Sequence, residues 1–465
     1  MNIIIVGAAR IGRELAQYLV SMGHAVTMID EPSAELSTLS DRLDLRVVQG
    51  DALSPAVLRR AGAENTELLV AVTSADEFNI AVCALGYALF AIPRKIARIR
   101  TPDLLAEAPA LFNGQALPID HVIAPEHITA ADILDLIELP GCSCCGLFAD
   151  ERVVVGTAVC RRGGKLLGAQ VAALESDSKA RVVGLYRQHE PIRNFMHETL
   201  TQGDEIFFCV ERSRALAFLS ALGPLDAGSK IIAIAGGTHA ADELARNLSL
   251  RYRVKLIEPD PQRAQRLQTR FHSNNVELFY ADPCDPDFIH EEHLYDCDRF
   301  IAASPSDEIN VIAGQLLKRY GCPRTLAVIS KTTLSDLSSL LGSADVDVLF
   351  EPREAVISTM LSDIYQDGVI KLRLFNSGRS CAAEILVQEG SRRVVGHKIS
   401  DITWPNGVNL GLVLRGRKLL PCTPDLEFAS GDRLIAYLND QAQLRRLSEL
   451  LRPRVSWIPK VRLWS

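Results

Sequence analysis

The sequence predicts an α/β protein built twice over. A doubly wound parallel sheet is followed by a small β-rich α+β module, and both then recur. Three observations lead there. The first is an internal copy. Ile3-Ile4-Ile5-Val6 reappears as Ile231-Ile232-Ala233-Ile234, an offset of 228 residues (231 − 3). Asp30 returns as Glu258 at that same offset, and Asp51 returns as Asp282. Thr73-Ser74-Ala75-Asp76-Glu77-Phe78-Asn79 returns as Ser304-Pro305-Ser306-Asp307-Glu308-Ile309-Asn310, and Gly203-Asp204-Glu205-Ile206 as Gly431-Asp432-Arg433-Leu434. A repeat this long sets the architecture before any single element does. The second observation is the alternation of short apolar runs with helical patterns over 1–123, the signature of a parallel sheet covered on both faces. The third is a change of character over 143–227, where short strands stand among Gly and polar turns.

Taken in order, Ile3–Val6, Ala25–Ile29, Arg46–Gln49, Leu68–Val72 and Ile96–Arg100 read as strands with helices between them. They make a first sheet domain, 1–123. Ala130–Leu139 reads as a helix within a connecting segment, 124–142, and Pro140-Gly141 ends it. Val153–Cys160, Lys165–Gly168, Val182–Tyr186 and Glu205–Val210 read as the strands of the first module, 143–227. The plan repeats as a sheet domain over 229–350, a connecting helix over 351–368, a module over 369–452 and a tail over 453–465.

Composition narrows the function. The chain carries 50 Lys and Arg against 57 Asp and Glu, a net charge of -7. Sequence-independent nucleic-acid binding rests on clustered positive charge, so no nucleic-acid partner is expected. Met1 to Gly7 has no basic region ahead of an apolar run, so no signal peptide is expected there. The uncharged run Ile80 to Ile92, stopped by Pro93, is too short for a span of ~18 residues. Its counterpart in the second half carries Lys318 and Arg319, so it reads as a buried helix. One domain covers only one face of such a helix, and a homo-oligomer is expected to cover the rest. The 11 Cys are scattered and odd in number, which fits reduced cytoplasmic thiols.

Gly7-Ala8-Ala9-Arg10-Ile11-Gly12 follows a strand and opens a helix, the context in which a G-x-G-x-x-G match carries weight. Gly7 permits the tight turn and Gly12 lets helix and strand pack closely. Ala9 stands where a glycine would let a pyrophosphate approach. Asp30, at the tip of the second strand, suits a ribose hydroxyl pair and repels a 2′-phosphate. NAD(H) or an adenine nucleotide is therefore expected rather than NADP(H), on a Rossmann-like fold. Arg10 is placed to meet a terminal phosphate. The second turn, Ala235-Gly236-Gly237-Thr238-His239-Ala240, keeps the middle glycine and loses the outer two. Glu258 keeps the acidic tip. The second half is either a weaker site or a structural relic, and His239 reads as a surface residue at a helix start.

These residues resemble a known family. The doubled plan, the first Gly-rich turn with Asp30, Asp44-Leu45-Arg46-Val47-Val48-Gln49-Gly50, Leu69-Val70-Ala71-Val72-Thr73-Ser74 with Asp76-Glu77, Ile96-Ala97-Arg98-Ile99-Arg100 and Pro118-Ile119-Asp120-His121-Val122-Ile123-Ala124-Pro125-Glu126 are similar to TrkA, the regulatory subunits of bacterial Trk potassium uptake systems. The resemblance covers about residues 1–450. It implies two nucleotide-binding RCK N-terminal domains, each followed by an RCK C-terminal domain. It also implies NAD(H), with ATP or ADP as the alternative ligand. The implied assembly is a homo-oligomer, a dimer or tetrameric ring, docked on a TrkH-type potassium-translocating membrane protein at the cytoplasmic face of the inner membrane. The first site it implies is Gly7, Ala8, Ala9, Arg10 and Ile11 with Asp30, Thr73, Ser74 and Arg98. The second is Ala235, Gly236, Gly237, Thr238 and His239 with Glu258. Asp51 lies where residues of the family approach the adenine.

No enzyme is expected. No nucleophile–base pair or metal spacing stands out, and a β-module takes the place of a substrate domain. Asp76-Glu77 and Asp307-Glu308 read as acids at helix starts. Cys142-Ser143-Cys144-Cys145 lacks zinc spacing and reads as a junction loop, with a thiol sensor as the alternative. The stretch from Arg452 to Ser465 holds Trp457 and Trp464 among four basic residues. It reads as a flexible end or as a strap to the membrane partner. The rival functional reading is a soluble NAD-dependent oxidoreductase with a duplicated unit, and a DNA-binding nucleotide sensor ranks third.

Overall fold

A computed structural model describes residues 1–31, 43–113, 116–174, 180–188, 190–225, 230–271, 275–330, 346–365 and 368–453. The helix expected between the second and third strands, and the tail from residue 454 with both of its Trp, lie outside the described residues. The described part forms two compact units. One gathers residues 1–138 and 226–363, the two sheet domains. The other gathers 139–225 and 364–465, the two modules. Sequence order alternates these parts, and the fold sorts them by kind.

In the first unit, β1 (Asn2–Val6), β2 (Ala25–Asp30), β3 (Arg46–Gln49), β4 (Leu68–Ala71), β5 (Arg94–Arg98) and β6 (His121–Ile123) form a parallel sheet in the order 3-2-1-4-5-6. Ile3, Ile4, Ile5 and Val6 are all buried, as expected of a strand covered on both faces. The second half repeats the order with β12 (Ile231–Ala235), β13 (Arg253–Ile257), β14 (Val276–Phe279), β15 (Arg299–Ala302), β16 (Arg324–Val328) and β17 (Val348–Phe350). The order reverses direction beside β1 and again beside β12. There the carboxyl ends of neighbouring strands diverge and leave a crevice for a ligand.

Six helices of this unit carry the argument: α1 (Arg10–Ser21), α2 (Asp76–Phe90), α3 (Pro125–Glu138), α4 (His239–Leu248), α5 (Asp307–Arg319) and α6 (Pro352–Ile364). The connecting helices cross over. α3 leaves the first half and packs against α4 of the second. α6 leaves the second half and reaches the first, where Arg353 pairs with Glu14 of α1 at 3.1 Å. At its far end the Asp363 carbonyl accepts a hydrogen bond from Arg94 of β5 at 2.9 Å. The helix α2 is not buried on every side within one chain. Tyr87 and Leu89 are 53% and 50% exposed.

In the second unit, β7 (Cys142–Phe148), β8 (Val153–Val159), β9 (Ala180–Arg187), β10 (Glu190–Pro191) and β11 (Glu205–Glu211) form an antiparallel sheet in the order 10-9-11-8-7. The second module answers with β18 (Val369–Phe375), β19 (Ser380–Leu386), β20 (Val408–Arg415), β21 (Lys418–Pro421) and β22 (Arg433–Leu438), in the order 18-19-22-20-21. Apolar faces of both modules share one core. Phe207 stacks 4.7 Å from Tyr437 and 5.9 Å from Phe375.

Two local expectations fail here. Cys142 to Cys145 are not a junction loop but the start of β7. Cys142 and Cys145 are buried, and a bulge falls between Cys142 and Cys144. Lys165–Gly168 is a run of turns, not a strand. Gly168 sits at φ +82°, and the Leu166 N–H donates to the Ala221 carbonyl, so no ladder partner is left for it.

The repeated Gly-Asp pair has a structural meaning. Arg187 grips Asp204 with two bonds of 2.8 and 3.0 Å, and Asp204 also accepts the Thr201 N–H. Arg415 grips Asp432 at 2.8 and 2.7 Å, and Asp432 accepts the Ala429 N–H. Both carboxylates are buried. The motif is a buried turn lock, conserved between the two copies by the needs of folding.

Candidate functional site

In the first half, the end of β1 turns sharply at Gly7, whose φ is +109°. A side chain at Gly7 would meet the Thr73 amide at 3.0 Å, and one at Gly12 would lie 1.9 Å from the Gly7 carbonyl oxygen. The two glycines therefore hold the turn of α1 against β4. Ala9 is the N-cap of α1 and makes no capping bond, and the first turn holds no acidic residue. The leading N–H groups of α1 therefore receive no acceptor from an N-cap side chain or a first-turn acid.

Asp30 is half-buried at the tip of β2. One oxygen accepts the Ala8 N–H and the other accepts the Glu31 N–H at 2.7 Å. Each oxygen keeps lone pairs for a further donor. Thr73 and Ser74 follow β4. The side chain of Asn79 pins this loop. Its Oδ1 accepts from the Thr73 N–H at 3.0 Å and from the Thr73 hydroxyl at 2.7 Å, while its amide donates to the Arg98 carbonyl at 2.9 Å. Arg98 ends β5. Its Nε is buried without a hydrogen-bond partner. Burial pulls this guanidinium below its usual range, and Glu126 works against that pull. A buried guanidinium N–H left unmatched is a place for an acceptor. Arg10 is exposed at the first position of α1. Ala8 is buried and Ile11 half-buried.

The structure brings Gly7 to Gly12, Asp30, Thr73, Ser74 and Arg98 to the carboxyl end of one sheet. Asp51 is exposed after β3, and its Oδ1 accepts the Leu53 N–H at 2.8 Å, a turn-forming bond that Asp282 repeats at 2.9 Å with Cys284. Beside the loop after β4, a cleft of about 380 Å³ is lined by Ser74, Asp76, Arg100 and Thr101 of the first half and His239 of the second.

The second half is built differently at matching positions. Gly236 takes the positive φ, +113°, three residues before the helix start as Gly7 is, so the second turn keeps the first glycine and not the middle one expected from the sequence, and Thr238 stands where Ala9 does. Gly237 lies against Glu258, which is fully buried. Glu258 accepts the Gly237 N–H, accepts the Asp260 N–H at 2.7 Å, and pairs with Arg263 at 3.2 Å. Its carboxylate is committed to the chain's own groups. Thr238 caps α4 by accepting from the Ala241 N–H at 3.2 Å, and Asp242 stands in the first turn. Ala235 is buried at the strand end. His239 is exposed at the first position of α4.

Residues beyond those predicted matter to this geometry. Asp76, read as a mere helix-start acid, accepts from the Arg100 N–H, the Thr101 N–H and the Thr101 hydroxyl at 2.8 to 2.9 Å and so fixes the loop after β5. Asn310 pins Ser304 just as Asn79 pins Thr73, donating to the Val328 carbonyl at 2.8 Å. The repeat itself carried that signal, because both asparagines fall inside the matched segment.

A profile described as the TrkA-N domain matches residues 3–125 and again 232–352, and a TrkA-C domain profile matches 382–452. A Trk system potassium uptake protein TrkA of Haemophilus influenzae is 33% identical over 98% of this chain and 100% of its own length. The chain belongs to the TrkA family. The Trk system potassium uptake protein TrkA of Vibrio alginolyticus is also 33% identical, over 97% of this chain and 99% of that protein. Among solved structures, the GsuK RCK domain superposes with a TM-score of 0.58 at 15% identity, covering 97% of this chain and 94% of the other. The GsuK channel bound to NAD gives 0.59 at 15% identity, over 97% and 78%. At that identity the likeness is one of fold: two parallel-sheet Rossmann-like domains with antiparallel RCK C-terminal modules.

Among the described residues of this TrkA-family chain, no helix is long and apolar enough to cross a membrane.

Proposed function

We propose that this chain is the regulatory subunit of a Trk-type potassium uptake system, and that it gates potassium transport by binding a nucleotide in its first half. NAD(H) is the ligand that Asp30 favours, with ATP or ADP as the alternative. The observation that carries the reading is the first Gly-rich turn. It pairs an uncapped helix start with an acidic strand tip and an arginine whose buried Nε lacks an acceptor. A nucleotide offers phosphate to the first and last of these and ribose hydroxyls to the second. The GsuK channel, which shares the fold, has been solved with NAD, which supports the choice of ligand class.

The partner is a TrkH-type membrane protein, and the chain acts as a homo-oligomer, a dimer or tetrameric ring, on the cytoplasmic face of the membrane. The names of its relatives support a place in a Trk system. The role is not enzymatic. Ligand energy shifts the assembly between two shapes, and it does so only by the difference in its affinity for the two. The second half, with Glu258 committed inward, holds nucleotide weakly or not at all.

The test is reconstitution. Chain and TrkH-type partner are placed in vesicles, and potassium flux is followed with NADH, NAD, ADP or ATP. Flux that changes with one of these nucleotides in the presence of the chain supports the reading. Flux indifferent to all four, or no co-purification with the partner, refutes it.

A further inference from the structure

The crossover helix α3 begins at the first site, and its second residue is Glu126. One Glu126 oxygen accepts from Arg100 Nε at 2.8 Å, and the other is buried without a hydrogen-bond partner. Arg98 Nε, two residues before Arg100, is buried and equally without one. A negative group that is only half engaged therefore stands beside two guanidiniums that end the first sheet.

The rest of α3 belongs mechanically to the second half. His127, the next residue, lies 3.3 Å from Glu243 of α4. Glu138 at its far end accepts from Arg251 at 2.9 Å. Leu136 and Ile137 lie over Phe300, Leu326 and Val348 of the second sheet. A displacement at Glu126 is thus delivered to the second half through a helix held at both ends.

The other half lacks this arrangement. In the register of the two sheets, Val328 stands where Arg98 stands, and Ser330 where Arg100 stands. Both connecting helices start at a proline, and Arg353 follows the second as Glu126 follows the first. The charge is reversed. Arg353 is bound to Glu351 at 2.7 Å and to Glu14 at 3.1 Å. Glu14 lies on α1, the helix whose start forms the first site. Both crossover helices therefore report to the first site, one through a half-engaged acid and one through a satisfied ion pair.

We propose that Glu126 is a positioning residue that competes with a bound phosphate for Arg98 and Arg100, so that occupation of the first site loosens the root of α3 and shifts the second half. The inference rests on the nucleotide reading given above and adds the route by which that site acts. Among its described residues the second half has no equivalent half-engaged acid, so the coupling runs from first half to second.

The experiment uses the full chain and its Glu126→Gln variant. Binding of ADP, ATP and NADH is measured by calorimetry, and amide exchange is followed over residues 125–138 and 239–248. In the parent, nucleotide should speed exchange in both segments. In Glu126→Gln, the competitor is gone. Affinity should rise about three- to tenfold, the worth of one partly buried ion pair, and exchange should no longer respond to nucleotide. A merely structural glutamate would instead lose affinity when replaced. Glu126→Asp keeps the charge with a shorter reach and should fall between the two. It also serves as the test if Glu126→Gln does not fold. A parent that binds no nucleotide overturns the site reading and the relay with it. A parent that binds, with a variant of unchanged or weaker affinity and intact exchange response, overturns the relay alone.

Discussion

Gly12 is the position at which one atom should decide whether the first site works. A Cβ there would lie 1.9 Å from the Gly7 carbonyl oxygen and 3.4 Å from a Val72 methyl. Real Cβ contacts do not fall under about 3.0 Å, so Gly12→Ala forces the turn and the helix apart by at least about 1.1 Å (3.0 − 1.9). The obstacle is backbone, which cannot rotate aside as a side chain would. Overpacking of this kind costs roughly 1–3 kcal/mol of stability. The larger effect falls on function. The same displacement moves the leading N–H groups of α1 away from the phosphate position, and a misplacement of about 1 Å at a positioned group costs on the order of 100-fold. Gly12→Ala should therefore fold, by circular dichroism, and lose about two orders of magnitude in nucleotide affinity by calorimetry. Gly12→Val should abolish the ligand-induced rise in melting temperature. Ala240→Val, one residue before Ala241, which the helix starts Arg10 and His239 set opposite Gly12, should do much less. A folded Gly12→Ala that binds NADH, ADP and ATP as the parent does would refute the placement of phosphate at this turn.

Three further outcomes follow from the same geometry. Asp30→Ala should weaken NADH binding clearly, and the parent should prefer NADH to NADPH by at least about tenfold, since a 2′-phosphate would face the carboxylate; equal affinities would remove the ribose argument. Burial pushes the Asp204 carboxyl up, but the bonds from Arg187 and Thr201 outweigh that and hold it below the usual carboxylate range. Its contribution is therefore complete above the unfolded value of about 3.9 and fades as pH falls through the lower folded value. Asp204→Asn should cost roughly 2–4 kcal/mol near neutral pH in denaturant titration, with the gap to the parent closing below about pH 4; a gap that persists in acid would show that charge is not the cause. Tyr87 and Leu89 on α2 are half exposed, as are Ile309 and Ile312 on α5, at 40% and 49%. Replacing Tyr87 and Leu89 by Asp should lower the mass seen by light scattering, and a monomeric parent would remove the case for assembly through this face.

The parts legible in the sequence share a cause. The repeat, the strand alternation and the glycine turn are local patterns, and each survives because backbone geometry demands it at one place. Gly7 needs φ of +109° and Gly12 needs empty space, and no other residue supplies either. What sequence reading missed depends on distant partners. Asp76 looked like any acid at a helix start, yet it holds a loop 24 residues away. Cys142 to Cys145 looked like a junction because three cysteines in four residues hide the strand alternation, which only the pairing with β8 makes visible. The sorting of four consecutive domains into two units, sheets with sheets and modules with modules, left no trace in local pattern. It is set by the crossover of α3 and α6.

The duplication permits a direct comparison that a single domain would not. The same scaffold appears twice, and the two copies use matching positions in opposite ways. In the second half the helix start is capped by Thr238, the acidic tip is buried under Gly237 and neutralised by Arg263, and Val328 fills the place of an arginine. The first two choices satisfy polar groups within the chain and the third removes one, which stabilises the fold and leaves a ligand little to add. In the first half the helix start is uncapped, Asp30 is half exposed, and Arg98 Nε and a Glu126 oxygen are buried without partners. Each of those costs stability in the absence of a ligand. Buried atoms without hydrogen-bond partners occur in both copies, Asp242 Oδ1 and Arg263 Nε among them in the second, but there they sit within ion pairs of the chain, whereas in the first Arg98 Nε and a Glu126 oxygen accompany an uncapped helix start and a half-exposed acid at the carboxyl end of one sheet.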